Sequence, residues 1–399
     1  MSESSVSKRM ARLSPSMTFA MNQMSNDLKA KGIDIVNMSL GEPDFGTPEQ
    51  AKTAARTALD EDFTHYTPVT GTLSLKEAIA DKLQKENGLT YAPAEILVSN
   101  GAKQSLCNAV LALVDDGDEV IIPAPYWVSY PQMALLAGGT PVYVDTGIEQ
   151  GFKMTPAQLE KAITPRTRML ILCSPSNPSG AVYSQEELDA LAEVILRHEG
   201  LFVLSDEIYE HLNYVGAHAS IAACKGMRER TILVNGVSKA YAMTGWRIGF
   251  TAGPKWIISA CGMLQGQYTS GPCSVSQKAA EAAWRGPQAC VEEMRQAFER
   301  RRNLLVKLMQ EIPGLEVAVP EGAFYLFPKC SSYFGKTDGK RVIKTSTDLA
   351  MFLLEVGHVA TVGGDAFGAP DYFRLSYATS EENIVEAAKR ISKALALLK

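Results

Sequence analysis

Long apolar runs are missing from this sequence. Nothing approaches the roughly 20 consecutive apolar residues that a membrane-crossing helix needs, so no span is expected. Histidine is scarce, with five residues, and the seven cysteines stand singly at Cys107, Cys173, Cys224, Cys261, Cys273, Cys290 and Cys330. With no Cys-x-x-Cys pair and no ligand spacing between cysteine and histidine, no metal is expected, and thiols set among apolar residues suit a reducing compartment. Excess charge of one sign is absent too: a net charge of −5 gives no electrostatic reason for a nucleic-acid partner. The one basic cluster, Arg300, Arg301, Arg302 and Lys307, falls in a helical pattern with Phe298, Leu304, Leu305 and Leu308, and reads as the solvated face of a helix. The opening Met1-Ser-Glu-Ser-Ser lacks the apolar core of a secretory signal, so a cytoplasmic location is expected. Internal repeats and low-complexity stretches are absent as well, which excludes solenoids and arrays.

What is present is an ordinary globular composition, 46% apolar and 21% charged, over 399 residues. That length exceeds one ordinary core and implies two domains. From about residue 50 to 255, helical patterns alternate with short apolar runs: Ile96–Ser99, Glu119–Pro123, Pro141–Val144, Met169–Cys173, Leu201–Leu204, Thr231–Val234 and Arg247–Thr251. Several runs are apolar on both faces, as strands covered by helices on both sides must be. Capping boxes are read at Ser74 with Glu77 and at Ser184 with Glu187; Thr155-Pro156 opens another helix, and Gly200 stops the one carrying Leu188, Leu191 and Ile195. Strand–helix alternation on this scale predicts an α/β domain with a mainly parallel sheet flanked by helices.

Beyond about residue 300 the alternation is lost. A long helix ends at Pro313-Gly314, strand-like runs follow at Leu315–Val319, Ala323–Phe327 and Phe373–Tyr377, and a last helix is capped by Thr379 and Glu382. The polar stretch from Ser331 to Thr347 reads as a surface loop. A large α/β domain over 48–300, with a smaller α+β domain built from 1–47 and 301–399, is therefore expected.

Ligands of α/β proteins bind at the carboxyl ends of the parallel strands, and nearly every strand run here stops at a polar residue. Ile96–Ser99 leads into Asn100-Gly101-Ala102-Lys103 and a helix. Small residues ahead of a helix N-terminus cradle anions, though they also make plain tight turns. After Cys173 comes Ser174-Pro-Ser-Asn-Pro-Ser-Gly180, where the prolines around Asn177 make either a rigid turn or a device that fixes its side chain; Asn177–Pro178 is a candidate cis bond. The Leu201 run ends at Ser205-Asp-Glu-Ile-Tyr209. A carboxylate there is partly buried, so Asp206 needs either a cationic side chain or a protonated nitrogen on a ligand. The Thr231 run ends at Asn235-Gly-Val-Ser-Lys239, with Arg247 eight residues on. A lysine at such depth can lose its proton and become a nucleophilic amine, and an arginine fork suits a phosphate, whereas the plain alternative is an exposed lysine. Taken together, an anion cradle, a buried carboxylate, an activated lysine, an arginine and an aromatic (Trp127) are what a phosphorylated pyridine aldehyde requires.

At these motifs the sequence resembles the class I aminotransferases of the pyridoxal-phosphate (PLP) fold-type-I group. The resemblance runs from about Leu40 to Thr379, through Leu40-Gly-Glu-Pro-Asp-Phe45, Ser174–Gly180, Ser205–Tyr209, Ser238–Gly249 and Phe373-Arg-Leu-Ser376. It implies that Lys239 holds the cofactor covalently and then moves the substrate proton, and that Asp206 pairs with the ring nitrogen. It further implies that Asn177 and Tyr209 hydrogen-bond the ring oxygen, that Trp127 stacks on the ring, and that Gly101, Ala102, Lys103 and Arg247 hold the phosphate. Tyr66 resembles the tyrosine that reaches a neighbouring subunit's phosphate, so a homodimer with shared sites is implied. Arg374 matches the arginine that grips the substrate α-carboxylate, with Gly41, Trp127 and Asn177 beside it. One departure stands out: the phosphate-contacting serine that the family carries three residues before the lysine is Gly236 here, leaving Ser238 and the backbone in its place.

The text around Tyr126–Pro131, Gly101–Gln104 and Ala242–Trp246 looks like the bacterial and plastid aspartate aminotransferase branch, some members of which accept prephenate. In that branch the lysine of Gly-Ala-Lys reaches the distal carboxylate, which makes Lys103 the specificity residue. Transfer between L-aspartate and 2-oxoglutarate is the expected reaction. The runner-up is a prephenate or aromatic amino acid aminotransferase, for which Thr18 fits and Ser14 departs from the pattern; a PLP lyase or decarboxylase would keep Lys239 and Asp206 but has less use for Arg374 and Lys103.

Overall fold

The computed structural model describes residues 7–399. A short strand β1 (Val36–Asn37) precedes the strands of the main sheet: β2 (Ile96–Asn100), β3 (Glu119–Ala124), β4 (Thr140–Asp145), β5 (Thr167–Cys173), β6 (Phe202–Asp206), β7 (Thr231–Gly236) and β8 (Ile248–Ala252). Four more follow: β9 (Tyr325–Leu326), β10 (Val359–Ala360), β11 (Val362–Gly363) and β12 (Phe373–Ser376).

The main sheet has the order β2-β8-β7-β6-β5-β3-β4. From β7 to β4 all neighbours are parallel; β8 is antiparallel to both β2 and β7, so β2 again runs in their direction. The carboxyl ends of β2, β3, β5, β6 and β7 therefore share one edge. The unalternating apolar runs have their reason in the packing. Ile122, Ile171 and Leu204 join the core under the helices Ala102–Leu113 and Lys255–Tyr268, while Ile121, Leu170, Leu172 and Val203 join the core under the helix Gln185–Leu196. Each such fully buried side chain contributes about 1.5–3 kcal/mol. At the edge, β4 leaves Thr140, Tyr143 and Asp145 exposed.

A second core gathers the two ends of the chain. β1 pairs in parallel with β10, Val36 opposite Val359, and β11-β12-β9 form a small antiparallel sheet. Val36 and Met38 pack there with Phe298, Leu305, Phe324, Leu353 and Ile391. No helix among the described residues is long and apolar enough to cross a membrane.

Several local expectations are corrected. Ser74 is not a cap: its helix, Leu73–Asn87, starts one residue earlier, and the Ser74 hydroxyl donates to Glu281 at 2.8 Å. The last helix, Glu381–Leu395, is capped by Ser380 rather than Thr379. The Gln185 helix ends at Leu196, and Gly200 (φ 80°) serves the turn into β6. Leu315–Val319 forms no strand beyond an isolated bridge from Glu316 to Lys329; none of its side chains is fully buried, and Val319 is 54% exposed. The basic cluster is only partly solvated. Arg301 makes a bidentate pair with Asp44 at 2.7 and 3.0 Å, and Arg302 donates to the Pro320 carbonyl at 3.1 Å, which leaves Arg300 exposed. The boxes at Ser184 and Thr155 are present.

Candidate active site

A cavity of about 440 Å³ opens at the shared carboxyl edge of the sheet. It is lined by Gly41, Ala102, Lys103, Trp127, Asn177, Asp206, Tyr209, Lys239, Arg247 and Arg374, residues that the sequence singled out from seven separate stretches. Gly101 is not in the lining, though it adjoins Ala102, which is. Tyr66 is apart, 100% exposed and outside the lining.

Asp206 ends β6 with its carboxylate buried. Tyr130 donates to one oxygen at 2.7 Å and the Ile208 amide to the other at 3.3 Å, but no cationic side chain bonds it. Burial pushes its pKa up from 3.8 to about 6, against the pull of those two donors. Lys239 follows β7 and donates to the Gly41 carbonyl at 2.7 Å. Burial brings it down from 10.5 to about 8; Glu42 opposes the shift, and Arg374 and Arg247 add to it. The active-site amine is thus half neutral near pH 8.

Arg374, on β12, is the largest fully buried side chain, 1% exposed. Its Nη1 donates to Asn177 Oδ1 at 3.0 Å and its Nη2 to the Ser39 carbonyl at 2.7 Å. The guanidinium lies 4.5 Å from the Tyr325 ring and 4.9 Å from Phe367, and its Nε has no partner. The Asn177–Pro178 bond is cis, as are Ser174–Pro175 and Ala124–Pro125. Tyr209 shares a 2.8 Å hydrogen bond with Tyr325.

Across the cavity, the helix Ala102–Leu113 begins at Gly101 (φ 80°), where its first amides have no preceding carbonyl to bond. Any Cβ on Gly101 would run into the Arg247 guanidinium, so glycine is what lets that group lie over the helix start. Arg247 is itself in the left-handed region (φ 59°), which costs a non-glycine residue about 1–2 kcal/mol. Its Nη1 donates to Thr244 at 2.9 Å and its Nη2 to the Asn100 carbonyl at 3.2 Å. Lys103 lies 4.8 Å over the Trp127 ring and 5.7 Å from Phe19, its pKa lowered by burial and then by Arg247. Gly236 has a steric reason: a Cβ there would stand 2.7 Å from the Ile248 carbonyl and 2.8 Å from Gly249 Cα, so no serine fits, while Ser238 does line the cavity.

Tyr130 and Tyr325, which hold Asp206 and Tyr209, were missed by the sequence reading. Tyr130 stood only within the stretch Tyr126–Pro131 and Tyr325 within the strand-like run Ala323–Phe327, and nothing in their local pattern distinguishes a bonded hydroxyl. The lack of ligand spacing also does not carry into three dimensions: Glu86, Glu210 and His211, and Glu207, Glu210 and His218, each bring three possible ligand atoms within 4.8 Å.

A doubly covered α/β sheet with a desolvated lysine, a cation-free buried carboxylate and an arginine-topped helix start is the constellation of a PLP enzyme. Residues 33–391 match the family described as aminotransferase class I and II, and the chain belongs to it. An aspartate/prephenate aminotransferase of Nitrosomonas europaea is 49% identical over 98% of this chain and 99% of its own length. An aspartate aminotransferase of Geobacillus stearothermophilus is likewise 49% identical, over 97% and 98%. Among solved structures, the aspartate aminotransferase from Rhizobium meliloti superposes with a TM-score of 0.95 at 46% identity, covering 99% of both chains, and that of Thermus thermophilus with maleate at 0.92 and 43%, covering 98% and 99%. The substrates are therefore amino acids and 2-oxo acids, and the cofactor is pyridoxal phosphate.

The residues present fit that cofactor. Asp206 is buried without a cation, so a protonated ring nitrogen would complete it. The cradle at Gly101 with Arg247 above it suits a phosphate, and Lys239 is desolvated enough to present a free amine.

Proposed function

We propose that this protein transfers the amino group of L-aspartate to 2-oxoglutarate, giving oxaloacetate and L-glutamate. The observation that carries this reading is that two cations, Arg374 and Lys103, line one cavity with the Lys239 amine, so each carboxylate of a diacid has a counter-charge. The relatives named as aspartate aminotransferases support it.

Bound here, pyridoxal phosphate supplies an aldehyde that accepts the amino group and a protonated ring that draws off electrons as the Cα proton leaves. Lys239 would hold the cofactor covalently, and its Nζ, once free, would serve as the base that takes and returns the substrate's Cα proton. Asp206 would keep a proton on the ring nitrogen. Asn177 and Tyr209 donate toward the ring oxygen, and Trp127 covers the ring face. The amides of Ala102 and Lys103, with Arg247, would hold the phosphate against the close turn that Gly101 makes, the Gly101 amide itself donating to the Ser99 carbonyl at 2.7 Å. Arg374 grips the α-carboxylate beside Gly41 and Asn177, while Lys103 meets the distal one. Tyr66, fully exposed, is left free to serve a second subunit, which supports a homodimer with shared sites. We further place the protein in the cytoplasm, in keeping with its unpaired cysteines, and divide the chain at about residues 48 and 300 into a large domain and a small one.

Half-reactions test the reading. Aspartate should change the visible absorbance of the holoenzyme, 2-oxoglutarate should restore it, and oxaloacetate should accumulate; release of CO2 or ammonia instead would overturn it.

Prephenate as acceptor is the second reading. Thr18 lines the cavity with a buried hydroxyl that has no partner, and the relative from Cereibacter sphaeroides, 50% identical, is also named for both substrates. Ser14, whose amide donates to Gln132 at 2.9 Å, takes no part in the lining.

Lys103 separates specificity from phosphate binding. A charge-assisted contact is worth roughly 1.5–3 kcal/mol, or about one to two powers of ten in kcat/KM. Lys103→Ala should lower kcat/KM for aspartate and glutamate by that factor and spare phenylalanine, measured with the cofactor saturating. An equal loss for all donors would mean that Lys103 only neutralises the phosphate.

A further inference from the structure

The turn after β6 has two faces. Asp206, Ile208 and Tyr209 line the cavity, while Glu207 and Glu210 turn into the protein and are 1% and 6% exposed. Residues 207–212 belong to no helix or strand. Their backbone is tied at a handful of points: Glu207 N to the Val234 carbonyl at 2.9 Å, Ile208 N to the Asp206 carboxylate at 3.3 Å, Glu210 N to the Glu207 carbonyl at 3.0 Å, Leu212 N to the Tyr209 carbonyl at 2.7 Å and Ala323 N to the Leu212 carbonyl at 2.7 Å.

Side chains on the hidden face complete the anchoring. Lys82, from the helix Leu73–Asn87, is 2% exposed at its side chain and pairs with Glu210 Oε1. Asn87 donates to the other Glu210 oxygen at 2.9 Å and accepts from Lys82 at 2.8 Å, while Glu86 lies 3.5 Å from the same ammonium. His211 Nδ1 is 3.4 Å from Glu210. Glu207 accepts from Ser205 at 2.8 Å and Ser220 at 2.6 Å, and its second oxygen meets His218 at 2.9 Å.

Two buried carboxylates beside Asp206 require positive charge. Burial pushes Glu210 up, but Lys82 and then the two histidines outweigh it and hold the group well below its ordinary range. Burial pushes His218 down, and Glu207 followed by Glu210 brings it above its ordinary value. Although three ligand atoms meet at Glu207, Glu210 and His218, the Lys82 ammonium already compensates Glu210, so the cluster reads as internal bracing rather than an ion site. Removing one partner of such a pair leaves a lone buried charge that the chain relieves by moving. Here the moving residue is the immediate neighbour of Tyr209.

We propose that Lys82 and Glu210, which touch neither the cavity nor its contents, form a positioning pair that sets Asp206 and Tyr209 against the cofactor ring. This rests on the PLP aminotransferase reading. A ring nitrogen poorly met by Asp206 withdraws fewer electrons, and a ring oxygen poorly met by Tyr209 is more basic; both make the proton at the lysine–cofactor link harder to remove. In the full-length holoenzyme, Lys82→Met and Glu210→Gln should therefore raise the pH midpoint of the bound cofactor's visible absorbance by at least about 0.5. They should also weaken PLP binding, followed by quenching of protein fluorescence, about 10-fold. If Lys82→Met does not fold, the milder Glu210→Gln, which keeps the side-chain shape, decides. Folded variants that keep the midpoint within about 0.1 and the PLP Kd within about twofold, even at a lowered Tm, would overturn the proposal, since a merely structural pair changes only stability. Wild-type protein is the first arm: failure to take up PLP there would defeat the aminotransferase reading itself.

Discussion

Lys239→Ala abolishes turnover: kcat with aspartate falls by at least about four powers of ten, the upper range for loss of a general base, compounded here by loss of the nucleophile. Borohydride no longer fixes the cofactor to the protein, while the thermal transition stays near wild type, because the deleted side chain makes only one hydrogen bond, to the Gly41 carbonyl. The wild-type cofactor-free protein provides a second readout. The Lys239 amine, held at about 8, should react with an aldehyde probe along a pH curve centred there rather than near 10.5. Its reactive, neutral fraction rises as pH climbs through 8, so a curve still rising steeply above pH 9.5 would contradict the desolvated lysine. Comparable turnover by Lys239→Ala would remove the residue from the chemistry.

Asp206→Ala has the next largest effect. A buried carboxylate that meets a protonated ring nitrogen forms a desolvated charge pair, and deleting one side costs about 3–5 kcal/mol, or about two to four powers of ten in rate. Deuterium exchange at Cα, which isolates the proton transfer, should slow by that factor, and cofactor retention should fall with it. Asp206→Glu keeps the charge and recovers part of the rate. An exchange rate within about threefold of wild type, measured with the cofactor saturating, would show that Asp206 serves only Tyr130 and the Ile208 amide.

How far the site could be read beforehand follows from the topology. In a parallel sheet the last residue of each strand falls on one edge, so Asp206 and the residues just past other strand ends, Gly101, Asn177 and Lys239, were bound to meet once the runs were recognised. Arg374 was different. Its strand is four residues long, and nothing in Phe-Arg-Leu-Ser says that the arginine is buried; only the likeness to known aminotransferases pointed to it. Tyr130 and Tyr325 were hidden because an aromatic in a core pattern is indistinguishable from one whose hydroxyl matters. Arg301 and Arg302 looked solvated because their partners, Asp44 and the Pro320 carbonyl, stand far off in the chain or belong to backbone. Lys82 sits mid-helix, where lysine is usually solvated, and its burial depends on a segment more than a hundred residues later. Short-range rules reached the strands of the main sheet, their ends and the caps at Thr155 and Ser184, but misplaced those at Ser74 and Thr379; they did not reach pairs closed by tertiary contacts.

The bond from Arg374 to the Ser39 carbonyl spans 335 residues and joins the segment just past β1 to the last strand, β12. During synthesis, every residue from Gly101 to Arg247 in the cofactor half of the pocket is polymerised well before Arg374. At about 5–20 residues per second the interval is on the order of ten seconds. The growing chain thus acquires the groups proposed to face PLP early and the proposed carboxylate anchor late. Until then Ser39 lacks its guanidinium partner and β1 lacks the strand it pairs with. A nascent chain in that interval already carries Lys103 and the groups proposed to face the cofactor but not the arginine proposed to grip the α-carboxylate, so the proposed pair of contacts to a diacid is complete only in the finished polypeptide.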